Sequence, residues 1–213
     1  MVNTQIKICG LKDIETLRFC ESLNVNAIGL VFHPASARNI DIGTARQLIA
    51  AAAPYTRIVG LVMDRPSEDV HEILAQLPLD ALQFHGTESA AYCEQFSFPY
   101  YKAVSASSMG ELDRIVQTFA SAKGLLIDSN APGAMGGSGH TLDWQKFSES
   151  PHAQSMILAG GLTPGNVAAA IEQVRPAAVD VSSGVEQSKG IKSMDKIAAF
   201  VQSVREADAA HHG

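Results

Sequence analysis

The 213-residue sequence predicts an α/β protein of the (β/α)8 TIM-barrel class, and three observations carry that expectation. Short apolar runs recur along the whole chain, eight in all, each followed by a stretch of helical period. The runs lack polar alternation, as expected of parallel strands buried on both faces. No linker or shift in composition interrupts the series, so residues 1–213 read as a single domain with a frayed tail from about 207 to 213.

In order, the strands are expected at IKIC (6–9), AIGLVF (27–32), RIVGLVM (57–63), DALQF (80–84), YYKAV (100–104), GLLID (124–128), SMILA (155–159) and AVDVSS (178–183). Asp13 is placed to cap a helix carrying Ile14, Leu17 and Phe19 to Leu23, and Asp41 to cap 42–53. Ser67 reads as the third cap, with Glu68 and Asp69 in the first turn, where the helix dipole favours acids. Segments 88–97 and 108–121 are the next two helices, and 143–148 is the sixth and shortest. Thr163-Pro164 reads as a cap followed by proline at the first helical position, leading into NVAAAIEQV, and 193–207 completes the set. Eight such units suit a closed barrel, because right-handed crossovers around eight parallel strands bring the last beside the first. An open doubly wound sheet would place a glycine fingerprint after the first strand, and CGLKDIE is not GxGxxG.

Composition narrows the function classes. Apolar residues make up 46% and charged residues 18%, within the ordinary globular range. A net charge of −6 repels nucleic acid and anionic membrane, so an anionic substrate needs a local site of N–H groups and basic side chains. No apolar run approaches the roughly 20 residues of a membrane span, and the first residues lack a basic-then-apolar leader pattern. Cys9, Cys20 and Cys93 show no CxxC spacing, and their odd count points to a reducing cytoplasm. His33, His71, His85, His140 and His152 are scattered without an HExxH, so no metal is expected.

In a barrel the chemistry sits where strands end and βα loops begin. AGGLTPGN places Gly160 and Gly161 after the seventh strand, and DVSSGVE places Ser183 and Gly184 after the eighth. Glycines let backbone N–H groups approach a ligand, and these two loops form the usual phosphate site of the fold. Turn-making alone is the plainer explanation of either pair. Asp128 ends an apolar strand and is followed not by a helix but by the glycine-rich SNAPGAMGGSGHTLDW, more like a lid than a connector. A carboxyl under such a lid can have its pKa raised and serve as a general acid, although mouth carboxylates are often only caps. Cys9 lies at a strand terminus, where a thiol can act as base or nucleophile once its thiolate is stabilised. Cys20 and Cys93 fall on amphipathic helices and read as core. Lys7 shares the orientation of Cys9 and is either a partner for the thiolate and an anionic ligand or a satisfied ionic group inside the barrel. Arg38 in FHPASARNI can hold a carboxylate by two parallel hydrogen bonds or stand solvated. His85 can bond a substrate or merely close a turn with Gly86. Asp180, between Val179 and Val181, needs a partner or faces the site.

These residues resemble a known family. KICG, FHPASAR, LQFHG, LLIDSNAPGAMGGSGHTLDW, LAGGLTPGNV and AVDVSSGVE, in order from about residue 6 to 200, are similar to the phosphoribosylanthranilate isomerases. The resemblance implies a TIM barrel of the ribulose-phosphate-binding type and an Amadori rearrangement in tryptophan biosynthesis. That reaction converts N-(5-phosphoribosyl)anthranilate to 1-(2-carboxyphenylamino)-1-deoxyribulose 5-phosphate, a phosphosugar substrate needing no metal and no organic cofactor. It also implies Asp128 as the acid that protonates the ring oxygen and Cys9 as the base that takes the C2 proton. Arg38 matches the residue holding the anthranilate carboxylate, and Gly160, Gly161, Ser183 and Gly184 fall in the phosphate-binding segments.

The sequence departs from the family pattern at two places. His140, Thr141 and Leu142 stand where Lys and then Thr-Phe are usual, and Lys12 stands in place of Thr. The histidine-pathway sugar isomerase of the same barrel type has Asp instead of Cys at the first strand and a second phosphate site. MDRPSED and FHGTESA after strands three and four supply no such site. A non-catalytic phosphosugar-binding barrel accounts for the glycines but not for Cys9 paired with Asp128. With no apolar helix stripe left over, a monomer is expected rather than a dimer.

Overall fold

The computed structural model describes residues 3–128, 144–147 and 150–210 of the chain. Eight parallel strands close into a barrel in sequence order: β1 (Gln5–Cys9), β2 (Ala27–Val31), β3 (Arg57–Val62), β4 (Ala81–Phe84), β5 (Tyr100–Val104), β6 (Gly124–Ile127), β7 (Met156–Leu158) and β8 (Ala178–Val181). β8 returns to β1 in the register Lys7↔Asp180, which seals the cylinder. The first five crossovers are α1 (Ile14–Ser22), α2 (Ile42–Ala51), α3 (Ser67–Gln76), α4 (Ala90–Glu94) and α5 (Met109–Thr118), with a 3₁₀ turn Trp144–Phe147 in the sixth place. α6 (Val167–Val174) and α7 (Met194–Ala210) follow the last two strands, with a small hairpin, β9 (Glu186–Ser188) and β10 (Ile191–Lys192), inserted before α7.

Alternation along each strand divides the core into two compartments. Ile6 and Ile8 of β1, Ile28 and Leu30 of β2 and Leu82 and Phe84 of β4 point outward and pack under the helices in the main apolar cluster. Inside the barrel, Cys9 packs with Val31 and Leu61, and Ala103 with Leu126 and Ala159. Polar residues buried in this inner compartment therefore lie on the barrel axis, not in the helix layer.

Side-chain caps set four helix starts, two of them, at Asp13 and Asp41, as read from sequence. Asp13 accepts the Thr16 N–H, Asp41 that of Thr44, Ser89 that of Tyr92 and Ser108 that of Glu111. Two expected caps are corrected. Ser67 is already the first residue of α3, and Pro66 occupies the cap position without any side-chain bond. Thr163-Pro164 does not begin α6, which starts three residues later. Asn166 accepts the Thr163 N–H at 2.7 Å and donates to the Gly161 carbonyl at 2.9 Å, so its amide holds a turn where a helix would otherwise continue back to Pro164. At the other end, α7 extends through Ala210 rather than fraying near 207. Asp208 is buried and accepts both the N–H and the hydroxyl of Thr4, at 3.0 and 2.6 Å, clasping the last helix to the chain just before β1.

Candidate active site

The C-terminal ends of the strands surround an open cavity of about 890 Å³. Its lining draws on loops from all around the mouth: Cys9, Arg38, His85, Asp128, Gly160, Gly161, Asp180 and Ser183 all face it. Six residue types from six different strand ends thus converge on one space, which is what barrel closure does to side chains far apart in sequence. Lys7 and Gly184, also expected at the site, do not line the cavity.

Cys9 is the last residue of β1, buried at the base of the cavity. Its carbonyl accepts the Ser182 hydroxyl at 3.0 Å, so the ends of β1 and β8 are tied together above the closing seam. Burial pushes the thiol above its ordinary range, and Asp180 adds to this, while Lys7 and Lys192 pull the other way without prevailing. Lys7 lies one layer deeper. Its ammonium donates to Asp180 Oδ1 at 2.8 Å, and both side chains are buried. Burial alone would lower its pKa, but Asp180 and Cys9 together raise it, so Lys7 stays charged beneath the thiol. Lys7 is thus an ionic group satisfied within the barrel by Asp180 and at the same time a neighbour of the Cys9 thiol. The partner that Asp180 required is Lys7.

Across the cavity, Asp128 follows β6 and is buried. His85 Nε2 stands 3.5 Å from its Oδ2. The Gln83 amide donates to His85 Nδ1 at 3.0 Å, which leaves the ring proton on Nε2, directed at Asp128. The stretch after Asp128, with His140, Thr141 and Leu142 and the expected lid, lies outside the described residues.

The loops after β7 and β8 build the third wall. Gly160 and Gly161 have φ of +71° and +68°, two successive left-handed residues that only glycine adopts without strain. Ser183 faces the same space. Gly184 stands behind it: a Cβ there would lie 1.8 Å from the Leu162 carbonyl oxygen, so the two loops touch backbone to backbone. Gly184 thereby brings the loops together rather than lining the cavity.

Arg38 enters from the loop after β2, with its aliphatic stem over Gly10, where a Cβ would come within 2.7 Å of Arg38 Cδ. Its guanidinium is gripped by Glu186, a residue that the sequence reading quoted in DVSSGVE but did not assign. Lys192 was missed as well. Its side chain is buried, donates to Glu186 Oε1 at 3.1 Å and to the Ser182 carbonyl at 2.9 Å, and is lowered in pKa chiefly by burial. Gln83 was detectable by the argument applied to Asp180, a polar residue inside an apolar strand. Glu186 and Lys192 carried no such signal, because their hairpin has no apolar pattern. Among the described residues no cluster of side chains is arranged to hold a metal ion.

Comparison with known proteins gives one consistent result. Residues 6–203 match the family model described as PRAI, N-(5'-phosphoribosyl)anthranilate (PRA) isomerase. The N-(5'-phosphoribosyl)anthranilate isomerase of Pseudomonas fluorescens strain SBW25 is 44% identical over 204 residues, covering 96% of this chain and 97% of that protein. The crystal structure of phosphoribosyl anthranilate isomerase from Thermotoga maritima superposes with a TM-score of 0.85 at 32% identity, over 95% of this chain and 99% of the other. A crystal structure of such an isomerase in complex with reduced 1-(o-carboxyphenylamino)-1-deoxyribulose 5-phosphate superposes with a TM-score of 0.82 at 31% identity, again over 95% and 99%.

Proposed function

The chain belongs to the N-(5'-phosphoribosyl)anthranilate isomerase family, and on that premise we propose that its cavity performs the isomerisation by general acid–base catalysis. The protein is an enzyme of tryptophan biosynthesis, and its substrate is a phosphosugar joined to anthranilate. The observation that carries the mechanism is the placement of Cys9 and Asp128 in one cavity that a guanidinium and a glycine-lined loop pair also line. This set of groups suits a ligand that carries a carboxylate, a phosphate and the reacting carbons between them.

In this reading Gly160, Gly161 and Ser183 hold the phosphate, with Gly184 permitting the close approach, and Arg38 holds the carboxylate. Asp128 gives its proton to the furanose oxygen as the C1–O bond breaks, leaving an iminium between C1 and the anthranilate nitrogen. The iminium withdraws electrons from C2 and acidifies its hydrogen. The Cys9 thiolate takes that proton, the C2–H electron pair forms the C1–C2 double bond, and the enolamine tautomerises to the ketone. His85, with its proton on Nε2, orients the Asp128 carboxyl or bonds a sugar hydroxyl. Asp180 and Lys7 fix the charge beneath the thiol. Neither metal nor organic cofactor takes part.

Turnover followed by loss of substrate fluorescence, with chelator present, tests the scheme. Cys9→Ala and Asp128→Asn should each lower kcat by about 10²–10⁴-fold, the usual contribution of one acid or base, with affinity for the reduced product analogue retained. An inactive parent protein, or a Cys9→Ala variant that turns over normally, sinks it. Three free thiols fit a reducing cytoplasm, which fractionation of cells would check. Among the described residues no helix is long and apolar enough to cross a membrane. The exposed large apolar side chains there are Ile14 on α1, Tyr55 in the turn before β3 and Ile191 on β10, three separate stretches of chain, which supports a monomer; sedimentation at several concentrations decides between monomer and dimer.

A further inference from the structure

The hairpin after β8 carries a carboxylate that this reaction scheme does not use. Glu186 opens β9 and is buried. Its Oε1 accepts from Arg38 Nε at 2.7 Å and its Oε2 from Arg38 Nη2 at 2.9 Å, a two-point grip between residues 148 positions apart. Lys192 donates to Oε1 at 3.1 Å and the Gly190 N–H to Oε2 at 3.0 Å. Lys196 on α7 holds the Glu186 carbonyl at 2.7 Å. The turn of the hairpin is also pressed against the loop that carries Arg38, since a Cβ on Gly190 would lie 2.6 Å from the Ala37 carbonyl oxygen. Whatever fixes Glu186 therefore fixes the guanidinium.

A guanidinium offers a carboxylate two flat edges, one made by Nε with a terminal nitrogen and one made by the two terminal nitrogens. Glu186 takes the first. The second, formed by Nη1 and the remaining N–H of Nη2, is left for the cavity that Arg38 lines. Two anions on one guanidinium would repel, but Lys192 also faces Glu186. Two cations against one carboxylate leave a single positive charge, enough for one ligand carboxylate. We propose that Glu186 is a positioning residue that presents only the terminal edge of Arg38 to the cavity and so sets the site's preference for a ligand bearing a carboxylate in the plane of that edge. This rests on the reading of Arg38 as the carboxylate contact.

Two inert ligands separate the possibilities: reduced 1-(o-carboxyphenylamino)-1-deoxyribulose 5-phosphate and the corresponding compound made from aniline, which lacks the carboxylate. Their Kd values are measured by calorimetry on the parent protein, Glu186→Gln, Glu186→Asp and Arg38→Ala. The expected result is a parental preference for the carboxylated ligand that Arg38→Ala abolishes. Glu186→Gln and Glu186→Asp should reduce it about 10- to 100-fold, the effect of misaligning a charge-assisted contact, while affinity for the carboxylate-free ligand stays unchanged. An undiminished preference in Arg38→Ala overturns the role of Arg38 itself. Loss in Arg38→Ala with full preference in both Glu186 variants overturns the positioning proposal alone. Equal weakening of both ligands in the Glu186 variants shows a merely structural role and also overturns it. Should Glu186→Gln not fold, Glu186→Asp, which keeps the charge facing Lys192, is judged by the same criteria.

Discussion

Burial raises the pKa of the Cys9 thiol although Lys7 and Lys192 act to lower it, so the base of the proposed scheme is the minor thiolate fraction. Alkylation reports that balance directly, because only the thiolate reacts and Cys20 and Cys93 are wholly enclosed. The rate of Cys9 modification by iodoacetamide should rise with pH to a midpoint above that of an ordinary thiol, about 8.5, and a midpoint below it would mean that Lys7 outweighs desolvation. Reading Cys9 as an exposed thiol activated by its neighbour was possible from KIC; the desolvation that opposes the neighbour was not, since it depends on what closes over the strand end. Gly184 is the second residue-scale case. In Gly184→Ala the new methyl meets a backbone carbonyl, which cannot swing aside as a side chain can. Overpacking of this kind should cost about 1–3 kcal/mol of stability. Inhibition by inorganic phosphate should weaken with it, and an unchanged inhibition constant would show that the two loops need not touch.

At the scale of elements, the loops after β3 and β4 are stitched by a buried ion pair that lies outside the cavity. Lys102 of β5 donates to Glu88 Oε2 at 3.2 Å and to the Gly86 carbonyl at 2.7 Å. Glu88 in turn accepts the Asp64 N–H at 2.8 Å and the Gly86 N–H at 2.9 Å. Gly86 adjoins His85, so this pair sets where the histidine stands. Lys102→Met should destabilise the fold by about 3–5 kcal/mol in urea unfolding, because it strands a carboxylate away from water. A loss below about 1 kcal/mol would mean that Glu88 finds solvent or a proton. Lys102 interrupts the apolar YYKAV as Asp180 interrupts its strand, but nothing in FHGTESA marks Glu88 as its partner. The helix starts divide in the same way. Asp13 and Asp41 cap as read because a cap needs only its own next three residues. Asn166 was overlooked because its bonds run backwards into the Gly161 turn.

For the molecule as a whole, the thiols under the helices make stability depend on alkaline pH. Cys20 and Cys93 are each pushed up to about 12, in both cases chiefly by burial. A thiol raised on folding contributes fully below its unfolded value of about 8.5, and the contribution is lost as pH climbs towards the folded value. Each should therefore cost about 1.4 kcal/mol per pH unit once the pH is above 9. Cys20→Ala should be less stable than the parent at neutral pH but should lose stability more slowly between pH 9 and 11, as read from urea midpoints. Parallel losses would show that the thiol remains un-ionised in the unfolded chain.

By itself the sequence determined the barrel, its strand order and the caps Asp13 and Asp41, and it pointed to strand-end residues that line one cavity. Those depend on local period, on single caps and on the rule that parallel strands close in order, all of which are written along the chain. Only the tertiary structure decided what each polar group faces. It paired Lys7 with Asp180 across the closing seam and set Gln83 behind His85. It also laid Glu186 against Arg38 from the far end of the sequence. Partners of buried charges are chosen by whichever groups closure brings within hydrogen-bonding distance, and that distance bears no relation to separation along the chain.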